Sequence, residues 1–327
     1  MPSIPPQLRA FVRPAATFGD WTPSLGVALL LVMLAGAANA YGVAQTAGVV
    51  GESVSGTATV DNPARPPDAI CEGYFGDDDP PADCDRPGTI EKRLDRVARN
   101  AVNAGVPQAL LTPFAVWVLL AALFALVTGE AGRPDGETVE QFGELLVVTA
   151  WGVSPASLRY LARPLAVSGV VEGWSHPTTV DALRTAARDA ATVTDSTAFL
   201  ALFAATLAWQ AFVLAGALRG VRDVSRGSAA VIAGVPTLAA FGSAVVVGPF
   251  AYPTAMPNVL LGLLVVGVGT VGFLVARTFI AVETFFDLVG MRQSSAEPHD
   301  WYVWLHRAGG VGVMVLGFAL FDGLRYL

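Results

Sequence analysis

Long apolar runs broken by short polar ones dominate the chain. Residues 197–218 carry no charge, and at a rise of about 1.5 Å per residue such a run crosses a hydrocarbon core of roughly 30 Å. Residues 227–276 are again uncharged. The loop between them, Arg219-Gly-Val-Arg222-Asp-Val-Ser-Arg226-Gly-Ser228, holds three arginines and one aspartate. A short loop this positive is expected to face the cytoplasm, and it orients the remaining segments. Uncharged runs at 22–41 and 108–128 predict the first two spans, those flanking the loop the fourth and fifth, 258–276 the sixth and 308–321 a short seventh.

The third span is marginal, because Glu144 and Arg159 enclose only 14 uncharged residues, below the usual ~18–20. Parity argues for it. Arg9 and Arg13 place the N-terminus on the same side as the 219–228 loop, so an even number of crossings separates them. Residues 142–159 therefore cross, with Arg159 and Arg163 snorkelling toward the outer boundary and Pro155 kinking the helix near 151–154.

Nine cations of short segments fall on the inner side of this layout: Arg9, Arg13, Arg133, Arg219, Arg222, Arg226, Arg277, Arg292 and Arg307. Five fall outside, namely Arg159, Arg163, Arg184, Arg188 and Arg325. The asymmetry supports about seven spans, with a cytoplasmic N-terminus and an extracytoplasmic C-terminus.

Between the first two spans lies a polar extracytoplasmic segment, 43–106. It carries Asp77, Asp78, Asp79, Asp83 and Asp85 and both cysteines of the chain, Cys71 and Cys84. Two cysteines on an extracytoplasmic loop predict a disulfide. The aspartates lack the glycine and closing glutamate of a calcium loop and read as a solvated acidic turn. Ile90, Leu94, Val97 and Ala101 recur at helical spacing opposite Lys92, Arg93, Arg96 and Arg99, which predicts an amphipathic helix resting on the membrane surface. A weaker amphipathic stretch, 180–191, follows in the 171–196 loop. Ala38-Asn39-Ala40 also fits a small-x-small cleavage site; against that, the segment before the apolar run is long and contains Asp20.

Composition agrees with a membrane protein. Hydrophobic residues make up 53%, charged residues 14%, against about 25% charged in soluble domains, and the mean hydropathy is +0.54. Twelve of the 27 acids lie between Asp20 and Asp95, and no basic stripe marks a nucleic-acid surface. Nineteen arginines against one lysine, Lys92, suit a high-salt setting and equally follow from GC-rich coding.

Catalytic signatures are missing from the sequence. Gly267-Val-Gly269-Thr-Val-Gly272 has the dinucleotide-binding spacing but lies inside an apolar span, where glycines serve close helix packing; Gly309, Gly310, Gly312 and Gly317 read likewise. His176, His299 and His306 are too scattered for a metal-hydrolase motif. No catalytic residue, cofactor or metal is expected. Gln210 is a lone polar residue able to hydrogen-bond between helices. Arg159, Arg163, Arg219, Arg222 and Arg226 are candidate contacts for anionic lipid or a partner.

Three stretches resemble the Yip-domain (Ypt-interacting protein) family of multi-pass membrane proteins. They are Arg13-Pro-Ala-Ala-Thr-Phe18 followed by Pro23; Glu140-Gln-Phe142-Gly-Glu144-Leu-Leu with Ala150-Trp-Gly-Val-Ser-Pro155; and Trp209 with Leu218-Arg-Gly-Val-Arg222-Asp-Val-Ser225-Arg-Gly-Ser-Ala229-Ala. The resemblance covers residues 8–248 and implies a five-helix bundle with a cytoplasmic N-terminus. Eukaryotic members are associated with small GTPases and membrane traffic. The chain lacks their long N-terminal region and its Asp-Leu-Tyr-Gly-Pro-type motif, so GTPase binding does not carry over. The 64-residue outer loop and the last two spans also depart from the family.

The expectation is thus an all-α polytopic bundle in the cell membrane. It comprises a cytoplasmic tail (1–21), a Yip-like five-helix domain (22–250) and a two-span extension (251–327). Its expected role is that of a non-enzymatic scaffold that organises the membrane or binds other membrane proteins. The alternative is a small-solute or lipid transporter.

Overall fold

The structure is a computed structural model and describes residues 5–21, 23–73, 82–129, 134–191, 196–222, 224–242, 259–280 and 299–320. Two short helices, α1 (Pro6–Val12) and α2 (Pro14–Asp20), lead into α3 (Leu25–Glu52). A two-stranded ladder follows, with β1 (Thr57–Asp61) antiparallel to β2 (Thr89–Arg93) and α4 (Asp68–Gly73) between them. Then come α5 (Leu94–Asn103), α6 (Val106–Thr128), α7 (Asp135–Val153), α8 (Ala156–Val171) and α9 (Val180–Ala190). The chain goes on through α10 (Thr197–Arg222), α11 (Arg226–Gly242), α12 (Val259–Leu274) and α13 (Asp300–Leu320).

Among the described residues, five stretches are long and apolar enough to cross a membrane: Leu25–Glu52, Leu94–Thr128, Asp135–Val171, Thr197–Arg222 and Asp300–Leu320. The fifth and sixth expected spans appear as the shorter α11 and α12. Residues 243–250, at the end of the fifth expected span, and residue 321, the last of the seventh, lie outside the described residues.

Several boundaries move. Helix α3 runs to Glu52 instead of ending at 41, and Val43, Ala47 and Val50 are buried against Leu94, Val97, Leu183 and Ala187. The polar segment therefore begins about ten residues late, because the top of α3 is the floor of a folded cap. Helix α5 lays its apolar face on α3 and α9, not on a membrane surface. Ile90 belongs to β2, opposite Val60, and not to the expected amphipathic helix; the fold is otherwise all-α as expected, this ladder being the one sheet among the described residues. The expected Cys71–Cys84 disulfide is present, with Cα atoms 5.5 Å apart. Asp83 and Asp85 are exposed, Asp83 paired with Arg86 at 2.7 Å, and 77–79 lie outside the described residues.

The expected N-terminal tail is instead part of the bundle. Prolines at the first turn of α1 and α2 cost no backbone hydrogen bond there. The two helices pack along α10, where Gly216 and Gly220 admit Pro14, Ala15 and Phe18. Trp209 and Trp151 donate indole N–H bonds to the Phe11 and Gln7 carbonyls, at 3.1 and 3.4 Å.

Near 300, too, helix replaces loop. Trp301, Trp304, His306 and Arg307, expected in a basic loop, form the first turns of α13. Helices α12 and α13 run antiparallel, with Gly269 against Gly310 and Gly262 against Gly317. A Cβ on Gly269 or Gly310 would meet backbone at 2.6–2.7 Å, so glycine sets this approach. Gly267, Gly272, Gly309 and Gly312 face open space instead.

Candidate functional site: a polar network beside a cavity in the bundle

Proline placement creates the site. Pro155 interrupts the third span: Ser154 and Pro155 keep helical dihedrals, with φ near −60°. Beyond them the hydrogen bonds tighten, Ser157 N donating to Ser154 O and Leu158 N to Pro155 O. The break thus falls at the C-terminal edge of the expected 151–154, and α8 continues the candidate span to Val171. The Val153 carbonyl loses its usual donor, Ser157 N, and Gln210 Nε2 of α10 reaches it at 3.4 Å. Pro113 does the same inside α6: it lacks the N–H that would serve the Ala109 carbonyl, and Asn39 Nδ2 of α3 supplies one at 3.0 Å. Gln210 therefore bonds between helices, as expected. Asn39, read in sequence as part of a cleavage-like tripeptide, is fully buried mid-helix.

Each amide then offers its oxygen to an arginine. Arg159 Nη1 donates to Gln210 Oε1 at 3.1 Å and to Thr206 Oγ1 at 3.5 Å. Arg163 Nη1, one turn on, donates to Asn39 Oδ1 at 3.4 Å. The Arg159 guanidinium also stacks over Phe203 (4.6 Å) and Tyr160 (5.1 Å), a favourable placement for a weakly hydrated cation.

Neither arginine snorkels: they are 3% and 5% exposed. The expectation failed because both face the bundle interior, where amides and rings replace water. Arg159 stands about 22 Å along the helix from Glu144, well inside the bundle.

A cavity of about 410 Å³ opens beside this network. Helices α6, α8, α10, α11 and α13 wall it, through Leu119, Leu120, Leu207, Leu214, Val235 and Phe318 among others. Arg159, Tyr160, Gln210 and Thr237 supply its polar positions. The volume lies within the ~300–1,000 Å³ of small-molecule sites, which are mostly apolar with a few placed polar groups.

The other candidate arginines gather at the opposite end of α10. That helix extends through Arg219 and Arg222, so only residues 223–225 of the expected ten-residue loop lie between α10 and α11, and Ser225 Oγ accepts from Ser228 N. Arg222 is held by α7, at 2.8 Å from Glu144 and 3.2 Å from the Gln141 carbonyl. Arg219 is half-buried and Arg226 exposed. The sequence reading did not find this pairing, since Glu144 and Arg222 lie in different spans.

A second recess at this end, about 510 Å³, is lined by Phe18, Trp21, Gly143, Glu144, Gly220 and Val221 among others. It brings together α2, α7 and the end of α10. Among the described residues no group of three or more His, Cys, Asp or Glu side chains could hold a metal ion.

Residues 261–324 match DUF6199, a family of unknown function. The match spans the α12–α13 hairpin and neither the cavity network on α8 and α10 nor the stretches that resemble Yip domains. No curated protein and no solved structure matches the chain.

Proposed function

We propose that this non-enzymatic multi-pass membrane protein works by taking a small lipid-like molecule from the bilayer into its bundle, as a carrier or permease component. The observation that supports this is the cavity at Arg159. A scaffold needs only packed helices and a presented face, whereas a 410 Å³ space beside a buried guanidinium supports a small-molecule occupant. A charged group at this depth costs several kcal/mol unless it is well partnered, and side chains that carry such a cost commonly mark a pathway or a ligand.

The scaffold reading rests on a different feature, the recess where Phe18, Trp21, Glu144 and Gly220 meet. Phe18, Glu144 and Gly220, one residue from each Yip-resembling stretch, line it, and we carry the family likeness as a proposal alongside the first.

Native mass spectrometry of the protein, released from membranes in mild detergent, separates the two readings. The cavity reading expects a small-molecule adduct that is lost in Ala239→Trp, which puts an indole into the cavity from its α11 wall, where Ala239 lines it. A stoichiometric protein partner with no small adduct, unchanged by Ala239→Trp, would replace it with the scaffold reading.

A further inference from the structure

We propose that the cavity selects an amphiphile with one acidic head, carboxylate or phosphate, bound at Arg159, its apolar chain lying along α6, α10 and α11. The inference rests on the cavity reading above and adds the chemistry of the occupant.

Three observations carry it. First, the polar groups are segregated. Arg159, Tyr160 and Gln210 sit together on α8 and α10, while Leu119, Leu120 and Leu123 of α6 form an apolar track; the Thr237 hydroxyl on α11 is taken up by its own helix, donating to the Ala233 and Gly234 carbonyls. A ligand matched to this surface has its polarity at one end. Second, the polar end is cationic. Arg159 is a fixed positive charge whatever the pH of the cell, and its forked donors suit the paired oxygens of a carboxylate or phosphate.

Third, the guanidinium is oriented in advance. Phe203 and Tyr160 lie against its face, and Gln210 Oε1 and Thr206 Oγ1 accept from Nη1. Gln210 is in turn fixed by the Val153 carbonyl at the Pro155 break. Binding then requires little reordering of the site, which favours affinity. Arg163 lies one helical turn further, so the field along that face of α8 stays positive.

The test compares two probes of equal chain length, radiolabelled palmitate and hexadecanol, on the full-length protein in nanodiscs of zwitterionic lipid. Palmitate is expected to bind saturably and the alcohol at least about tenfold more weakly, a difference of about 1.4 kcal/mol. Arg159→Gln should bring palmitate down to the level of the alcohol, and Arg159→Lys should retain part of the preference. Ala239→Trp, which leaves Arg159 in place, should weaken both probes.

Equal binding of the two probes, sensitive to Ala239→Trp, would overturn the acidic-head assignment while leaving the cavity reading intact. Binding of neither probe would remove both. An Arg159→Gln protein that melts at the wild-type temperature yet keeps the palmitate preference would likewise overturn the assignment. Displacement of palmitate by anionic phospholipid added to the nanodisc would support it, and would name the bilayer as the source of the head.

Discussion

A Cβ on Gly42 would collide with the backbone carbonyl of Tyr160 in α8. No side-chain rotation relieves that contact, so the helices must part just where Arg159 and Arg163 meet their amides. Gly42→Ala is expected to cost about 1–3 kcal/mol, the range for overpacking, read as a lower unfolding temperature in detergent. Gly48→Ala, on the same helix with nothing within 4 Å of the new methyl, should stay within about 0.5 kcal/mol. A Gly42→Ala protein as stable as Gly48→Ala would mean that the α3–α8 approach is looser than this contact implies.

Much of the site's chemistry was legible residue by residue, but its geometry was not. Gln210 stands out as a lone amide in a long apolar run, and the structure uses it between helices. Arg159 and Arg163 were placed at a boundary because a linear hydropathy scan ends an apolar run at any charge. Their acceptors lie 51 and 124 positions away in sequence. A clue was available: Pro113 and Pro155 each deprive a span of one donor, and an amide elsewhere must compensate.

At the scale of elements, Asp135 ties the C-terminal hairpin to the rest of the molecule. Its carboxylate accepts from Thr278 N and Thr278 Oγ1 at 2.9 Å, from Arg277 N at 3.2 Å and from Arg307 Nη2 at 3.4 Å. These are the first backbone donors after the turn at Val275, where α12 breaks and resumes, so the first residue of α7 caps a helix on another element. Removing the acceptor takes one partner from each of these donors. Asp135→Ala is therefore expected to cost about 1.5–3 kcal/mol, the scale of bonds to a charged group, and to speed hydrogen exchange selectively at 276–280. Exchange unchanged at 276–280 would show that the α12–α13 glycine contacts alone hold the hairpin.

The cap was the least legible element. Ile90 fits both the period of a helix with Leu94, Val97 and Ala101 and the alternation of a strand. Pairing with Val60, 30 residues earlier, decided for the strand, and no local pattern reports such a partner. The apolar face of α5 was readable; that α9 would cover it was not, because a buried helix face and a membrane-lying one present the same periodicity.

For the whole molecule, the question is which end faces which side. The Cys71–Cys84 cap with Trp174 and Ser175 occupies one end of the bundle, and Glu144, Arg222 and Ser228 occupy the other. The charge bias of short segments favours the Arg222 end inside, and a disulfide persists more readily outside the reducing cytosol. These two arguments are independent, since one counts arginines and the other concerns redox poise. They make one prediction. Ser175 and Ser228 are both exposed, and the native cysteines are consumed in the disulfide, so a single introduced cysteine reports its own side. In intact cells an impermeant maleimide should label Ser175→Cys and leave Ser228→Cys unreacted until the membrane is opened. Labelling of Ser228→Cys alone in intact cells would invert the molecule and put the disulfide cap in the reducing compartment. Labelling of both would mean that the stretch from α10 back to α9 does not cross, and the parity that assigned the third span would fall with it.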